Sequence, residues 1–153
     1  LLGVHQIISG EVTYLTASKP KHLKTTQRFT KKVVIDTEVY TGDDGKSKSR
    51  KVYGKVKATA TKHSVSAEAQ IRASYQVLDA ETAEVLNSDM VSGSHQINFI
   101  WATYHGDKRA LNNDIKKLTR KSEKVPPTKD QLVLDAITDL NKKMIRKIKK
   151  IYK

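Results

Sequence analysis

Among the residues able to do chemistry, the five histidines His5, His22, His63, His95 and His105 come first, and none falls at a metal-ligating spacing such as H-E-x-x-H. No G-x-S-x-G segment presents a serine nucleophile. The chain has no cysteine, which excludes thiolate zinc sites, disulfides and cysteine catalysis. Asp79, Glu81 and Glu84 lie close together, but in a turn signal, where acidic side chains serve local hydrogen bonds and do not flank a substrate. Gly42 and Gly45 bracket a short acidic stretch without the G-K-[ST] spacing that aims backbone amides and a lysine at phosphates. The expectation is a protein without catalytic, metal-binding or cofactor-binding residues, hence not an enzyme.

What remains is charge. The 29 Lys and Arg against 16 Asp and Glu give a net charge of +13, which attracts polyanions such as nucleic acid, anionic lipid head groups or acidic polymers. Most of the excess sits in residues 17–62, where thirteen cations face four acids. Within that stretch Lys31, Lys32, Arg50 and Lys51 are candidate contacts. A second group, Lys142, Lys143, Arg146, Lys147, Lys149, Lys150 and Lys153, gathers at the C-terminus without an acid among them. Nucleic acid is the less favoured partner, because the nine aromatics are not interleaved with the basic runs and no helix-turn-helix or RNA-recognition signature is present.

Strands and one helix must position these groups. Gln6 to Thr16 alternates as a half-buried strand, with Ile8, Gly10, Val12 and Tyr14 on one face. The basic insertion 17–62 holds two apolar-alternating arms around "TGDDGKSK", predicting a long one-sided hairpin over 31–60. Val65, Ala67, Ala69, Ile71, Ala73, Tyr75 and Val77 then keep period two over seven positions, the strongest strand signal in the chain. "DAETAE" turns it, and "VLNSDMVSGSH" returns antiparallel, making a second hairpin over 64–94 that is polar on its uncovered face. Phe99, Ile100, Trp101 and Tyr104 mark a crossing segment anchored by core aromatics, and 108–124 is a basic stretch with weak helical spacing.

Pro126 and Pro127 stop what precedes, Thr128 is placed as an N-cap, and Gln131 is its capping-box partner. A helix over 129–151 follows, with Val133, Ile137, Leu140, Met144, Ile148 and Ile151 as its apolar stripe and the C-terminal cations opposite. The fold class is thus α+β: an antiparallel-rich or mixed sheet with a long insertion hairpin, packed against a C-terminal amphipathic helix. Residues 1–153 are read as a single α/β-layer domain. With neither an initiator methionine nor a signal pattern, it is expected to begin inside a longer polypeptide and to lack its N-terminal part.

Three pieces in this order, "IISGEVTYL", "AEAQIRASYQVLDAETAEVL" and the closing helix, resemble the exported lipoproteins of the bacterial curli secretion channel (CsgG-like) group and its soluble relatives. The turn of that group, V-D-x-x-T-G-E-V-L, here reads from Leu78 to Leu86, with Ala83 where the group has glycine. The resemblance covers under half the chain. It implies a cell-envelope protein, periplasmic or associated with the outer membrane, that self-associates or binds an envelope partner. In channel-forming members the insertion crosses the membrane. The arms of 31–60 have no aromatic girdle and Lys crowds both ends, so a soluble hairpin is expected instead.

Overall fold

A computed structural model describes residues 5–152. Four strands, β1 (Gln6–Ala17), β2 (Lys21–Thr41), β3 (Ser47–Asp79) and β4 (Val85–Gly106), precede two helices, α1 (Asn113–Leu118) and α2 (Lys129–Ile151). β3 is the central strand: it pairs with β1, with β2 and with β4 in an open, mostly antiparallel sheet. The chain divides into two compact units. The first takes in the described parts of Leu1–Lys21, Val65–Asn98 and Val125–Lys153, and the second His22–Ser64 and Phe99–Lys124. β3 and β4 each contribute to both units.

In the first unit β1 runs antiparallel to residues 69–79 of β3, from Gln6 opposite Asp79 to Ala17 opposite Ala69. All seven alternating positions from Val65 to Val77 are buried. α2 packs on this sheet, with Leu132, Ala136 and Leu140 as its buried line. Burying a leucine such as Leu132 contributes about 1.5–3 kcal/mol, so these few contacts hold the helix. Its line differs from the expected stripe: Leu132 and Ala136 are deepest, Val133, Ile137, Met144 and Ile148 are half-buried, and Ile151 is exposed. The reason lies at Gly93, where an added Cβ would run into the Ala136 carbonyl oxygen. The helix backbone comes down on a glycine, so a small residue faces the sheet there.

β1 corrects a second expectation. Its register shifts between Val12 and Tyr14, leaving Thr13 as the extra residue of a bulge. Ile8, Gly10 and Val12 stand opposite Val77, Tyr75 and Ala73, on the face that α2 covers in part, while Tyr14 stands opposite Arg72 and Leu15 opposite Ile71. Tyr14 therefore leaves the apolar face to which simple alternation assigns it and receives the Arg72 guanidinium 5.4 Å from its ring centroid.

At the helix start, the Gln131 amide donates to Thr128 Oγ1 at 3.2 Å, as its sequence predicts. The Gln131 side chain does not close a capping box; it donates to Asp135 at 3.1 Å. In the β3–β4 turn, Asp79 Oδ1 accepts from the amides of Glu81 and Thr82, both at 2.9 Å, and from Thr82 Oγ1 at 3.1 Å. Ala83 takes a left-handed conformation with φ of 59°. The Thr82 and Glu81 amides hold the Asp79 carboxyl below the usual carboxylate range.

The second unit contains a hairpin longer than the one expected over 31–60. β2 begins at Lys21, and β3 continues without a break to Asp79, so the second insertion arm and the Val65–Val77 alternation are one strand of 33 residues. The turn between them closes through Gly42 and Lys46 (2.9 Å), with Gly45 at φ of 72°. β4 likewise continues to Gly106, so Phe99 to Tyr104 belongs to a strand and not to a crossing segment.

Ala58, Ala60, Ala102, Ala110, Leu111 and Ile115 form the core of this unit, with Phe29, Val56 and Leu118 packed against it. Four alanines let the short helical segment settle close to the strands. Gly106, at φ of 102°, begins the departure from β4; a Cβ there would meet the Lys57 carbonyl oxygen at 2.6 Å. Asp107 caps the single 3-10 turn Lys108–Ala110, and Asn112 caps α1 by accepting from the Ile115 amide at 2.8 Å. Arg109 ties the turn down: it pairs with Asp107 at 2.7 Å and donates to the Val34 carbonyl of β2 at 3.1 Å. The weak helical spacing in 108–124 thus corresponds to one 3-10 turn and a six-residue helix.

Candidate interaction surfaces

Among the described residues β1 is an edge strand, paired only with β3. Such an edge carries unpaired backbone donors and acceptors able to accept another strand, and proteins that keep it solitary place Lys or Pro along it. From Gln6 to Ala17 the chain has no Lys, no Arg and no Pro, and a single acid, Glu11. β2, by comparison, carries Lys21, Lys24, Arg28, Lys31 and Lys32. The inward face of β1 is also under-covered: Ile8 is 49% exposed and Val12 59%. Between β1 and α2 runs an apolar groove of about 410 Å³, with Ile8, Val12, Tyr75, Ile137 and Met144 in its walls.

The groove exists because α2 is held toward β4. Lys147 Nζ pairs with Asp89 at 2.6 Å and donates to the Met90 carbonyl at 2.9 Å. Lys143 Nζ pairs with Asp139 at 2.6 Å and donates to the Ser92 carbonyl at 3.2 Å, while Asp139 also accepts from the Ser94 amide at 3.0 Å. His95 stands 3.6 Å from Asp135. These polar contacts all fall on one flank of the helix, so its other flank, with Ile137 and Met144, overhangs β1. The Lys147 ammonium lowers the Asp89 carboxyl, and the Lys143 ammonium lowers that of Asp139.

Those ion pairs alter the reading of the C-terminal basic face. Lys143 and Lys147 turn toward β4, whereas Lys142, Arg146, Lys149 and Lys150 are exposed without an ion pair among the described residues. Lys153 lies outside the described residues. In the insertion, Lys31, Lys32, Arg50 and Lys51 are all exposed. Arg50 pairs with Glu38 across the hairpin at 2.7 Å, and Lys32 lies 5.4 Å above the Tyr53 ring.

One grouping is not legible in the sequence. His22 and His63, 41 residues apart, meet across β2 and β3 in the second unit, with His22 Nε2 3.3 Å from His63 Nδ1. His63 Nε2 is 3.2 Å from Thr103 Oγ1. Trp101 is buried and stacks on His63, with centroids 5.0 Å apart and planes at 5°, while Tyr104 is 41% exposed and is not a core residue. Spacing within one segment carries no trace of this group; only the pairing of β2 and β4 with β3 brings it together.

No helix among the described residues is long and apolar enough to cross a membrane. Comparison with protein-family models, with curated proteins and with solved structures finds no match for this chain.

Proposed function

We propose that this chain acts without catalysis, as an assembly or partner-binding protein of a bacterial cell envelope that self-associates or captures an envelope protein by adding a strand to β1. The observation carrying the assembly reading is the β1 edge: free on one side, without a blocking cation, and beside an apolar groove. Strand addition supplies main-chain hydrogen bonds, and the groove would take side chains of the incoming strand. The envelope setting, in the periplasm or at the outer membrane, rests on the resemblance to the curli secretion channel group. The exposed cations of the insertion and of α2 are assigned to anionic lipid or polymer at the same surface.

Mass measurement by sedimentation over a wide concentration range, with crosslinking in a bacterial envelope fraction, tests this. Association above the monomer mass, or a crosslink from β1 to an envelope protein, is expected. A monomer at all concentrations with no envelope crosslink overturns it. The second reading, a basic nucleic-acid-binding module, is favoured by the +13 charge and by exposed Lys142, Arg146, Lys149 and Lys150. Duplex and single-stranded oligonucleotides titrated across a salt series decide it. A slope of log affinity of about −0.9 per phosphate contact on duplex supports it, and negligible binding near physiological salt removes it.

A further inference from the structure

The facing nitrogens of His22 and His63 are 3.3 Å apart. Two imidazole nitrogens bound to one ion at about 2.0–2.1 Å, in square-planar or tetrahedral angles, stand about 2.8–3.4 Å apart. The two side chains therefore already stand at the separation that a shared ion requires. From this we infer that His22 Nε2 and His63 Nδ1 form a two-imidazole site for a divalent transition-metal ion of the copper, nickel and zinc class. No group of three or more ligating side chains occurs among the described residues, so solvent supplies the remaining ligands.

Thr103 gives the site its orientation. With its hydroxyl accepting from His63 Nε2–H, the His63 proton is held on the far nitrogen and the Nδ1 lone pair is left facing His22. The proton now shared between the two rings moves to His22 Nδ1, which leaves both facing nitrogens as donors. The plane of Trp101 against His63 fixes that ring further. Lys21, Lys24 and Lys62 flank the two histidines in sequence and oppose a dication, which keeps the affinity moderate. Among these ions the imidazole pair ranks copper first. A bound ion would clip β2 to β3 within the hairpin and stabilise the second unit by linkage.

Trp101 is the only tryptophan, so its fluorescence reports on this place alone. The whole chain is titrated with Cu²⁺. Saturable quenching at one ion per chain is expected, together with a raised melting temperature and an electron paramagnetic resonance spectrum carrying nitrogen coupling from imidazole. His22→Gln and His63→Gln should each weaken the quenching by about tenfold or more, and Thr103→Val by about tenfold. His105→Ala should leave it unchanged. His22 is exposed, so His22→Gln keeps the fold and remains decisive if His63→Gln does not. Quenching that never saturates, or that is equal in wild type and His22→Gln, overturns the site.

Discussion

Ala83 shows how a single residue stores strain in this molecule. A φ of 59° costs an L-residue roughly 1–2 kcal/mol, and glycine escapes that cost at the expense of its own backbone entropy. Ala83→Gly should therefore raise stability by about 0.5–1 kcal/mol, seen as a melting temperature higher by about 1–4 °C. The same turn has a pH signature. Because the Asp79 carboxyl is depressed in the folded chain, its contribution is present above the unfolded carboxylate range and is lost as pH falls through the lower folded value. Acid titration of Asp79→Asn should show less loss of stability than wild type in that window; equal acid sensitivity would exclude Asp79 as a source. The alanine at this turn was visible in the sequence, but its strained φ was not, because only the closed β3–β4 turn forces it. His22 and His63 were equally visible as residues and invisible as a pair.

At the scale of elements, α2 and β4 meet through Gly93. Replacing it by alanine drives a Cβ into the Ala136 carbonyl and the Leu140 backbone, so Gly93→Ala should cost about 1–3 kcal/mol, measured by denaturant unfolding. The helix itself was legible: Pro126 and Pro127, the Thr128 cap and the three-and-four spacing placed it at 129–151, where it lies. Its rotation was not. A stripe wider than one contact line can settle on the sheet in several ways, and the glycine on β4 chose Leu132 and Ala136 over Val133 and Ile137. Strand positions were legible from alternation, but strand lengths were not, since Ala60 to Val65 has no Gly, Pro, Asn or Asp to stop β3 and no special residue to prolong it. The bulge at Thr13 was hidden for a related reason: period two persists on paper while the ladder slips.

For the whole molecule the decisive quantity is where the charge is missing. A chain at +13 repels its own copies, and β1 is one of its cation-free stretches, with open backbone and exposed Ile8 and Val12. Val12→Lys, at an exposed position that leaves the core intact, should abolish association in sedimentation without lowering the melting temperature; association unchanged by it would move the interface elsewhere. Composition, alternation and capping signals by themselves determined that this chain builds an α+β sheet with a closing helix and a basic surface, because those features depend on neighbours a few residues away. Tertiary structure alone decided which edge stayed open, which lysines turned back to Asp89 and Asp139, and which histidines met. Those outcomes depend on register and on helix rotation, set by contacts between residues distant in the chain.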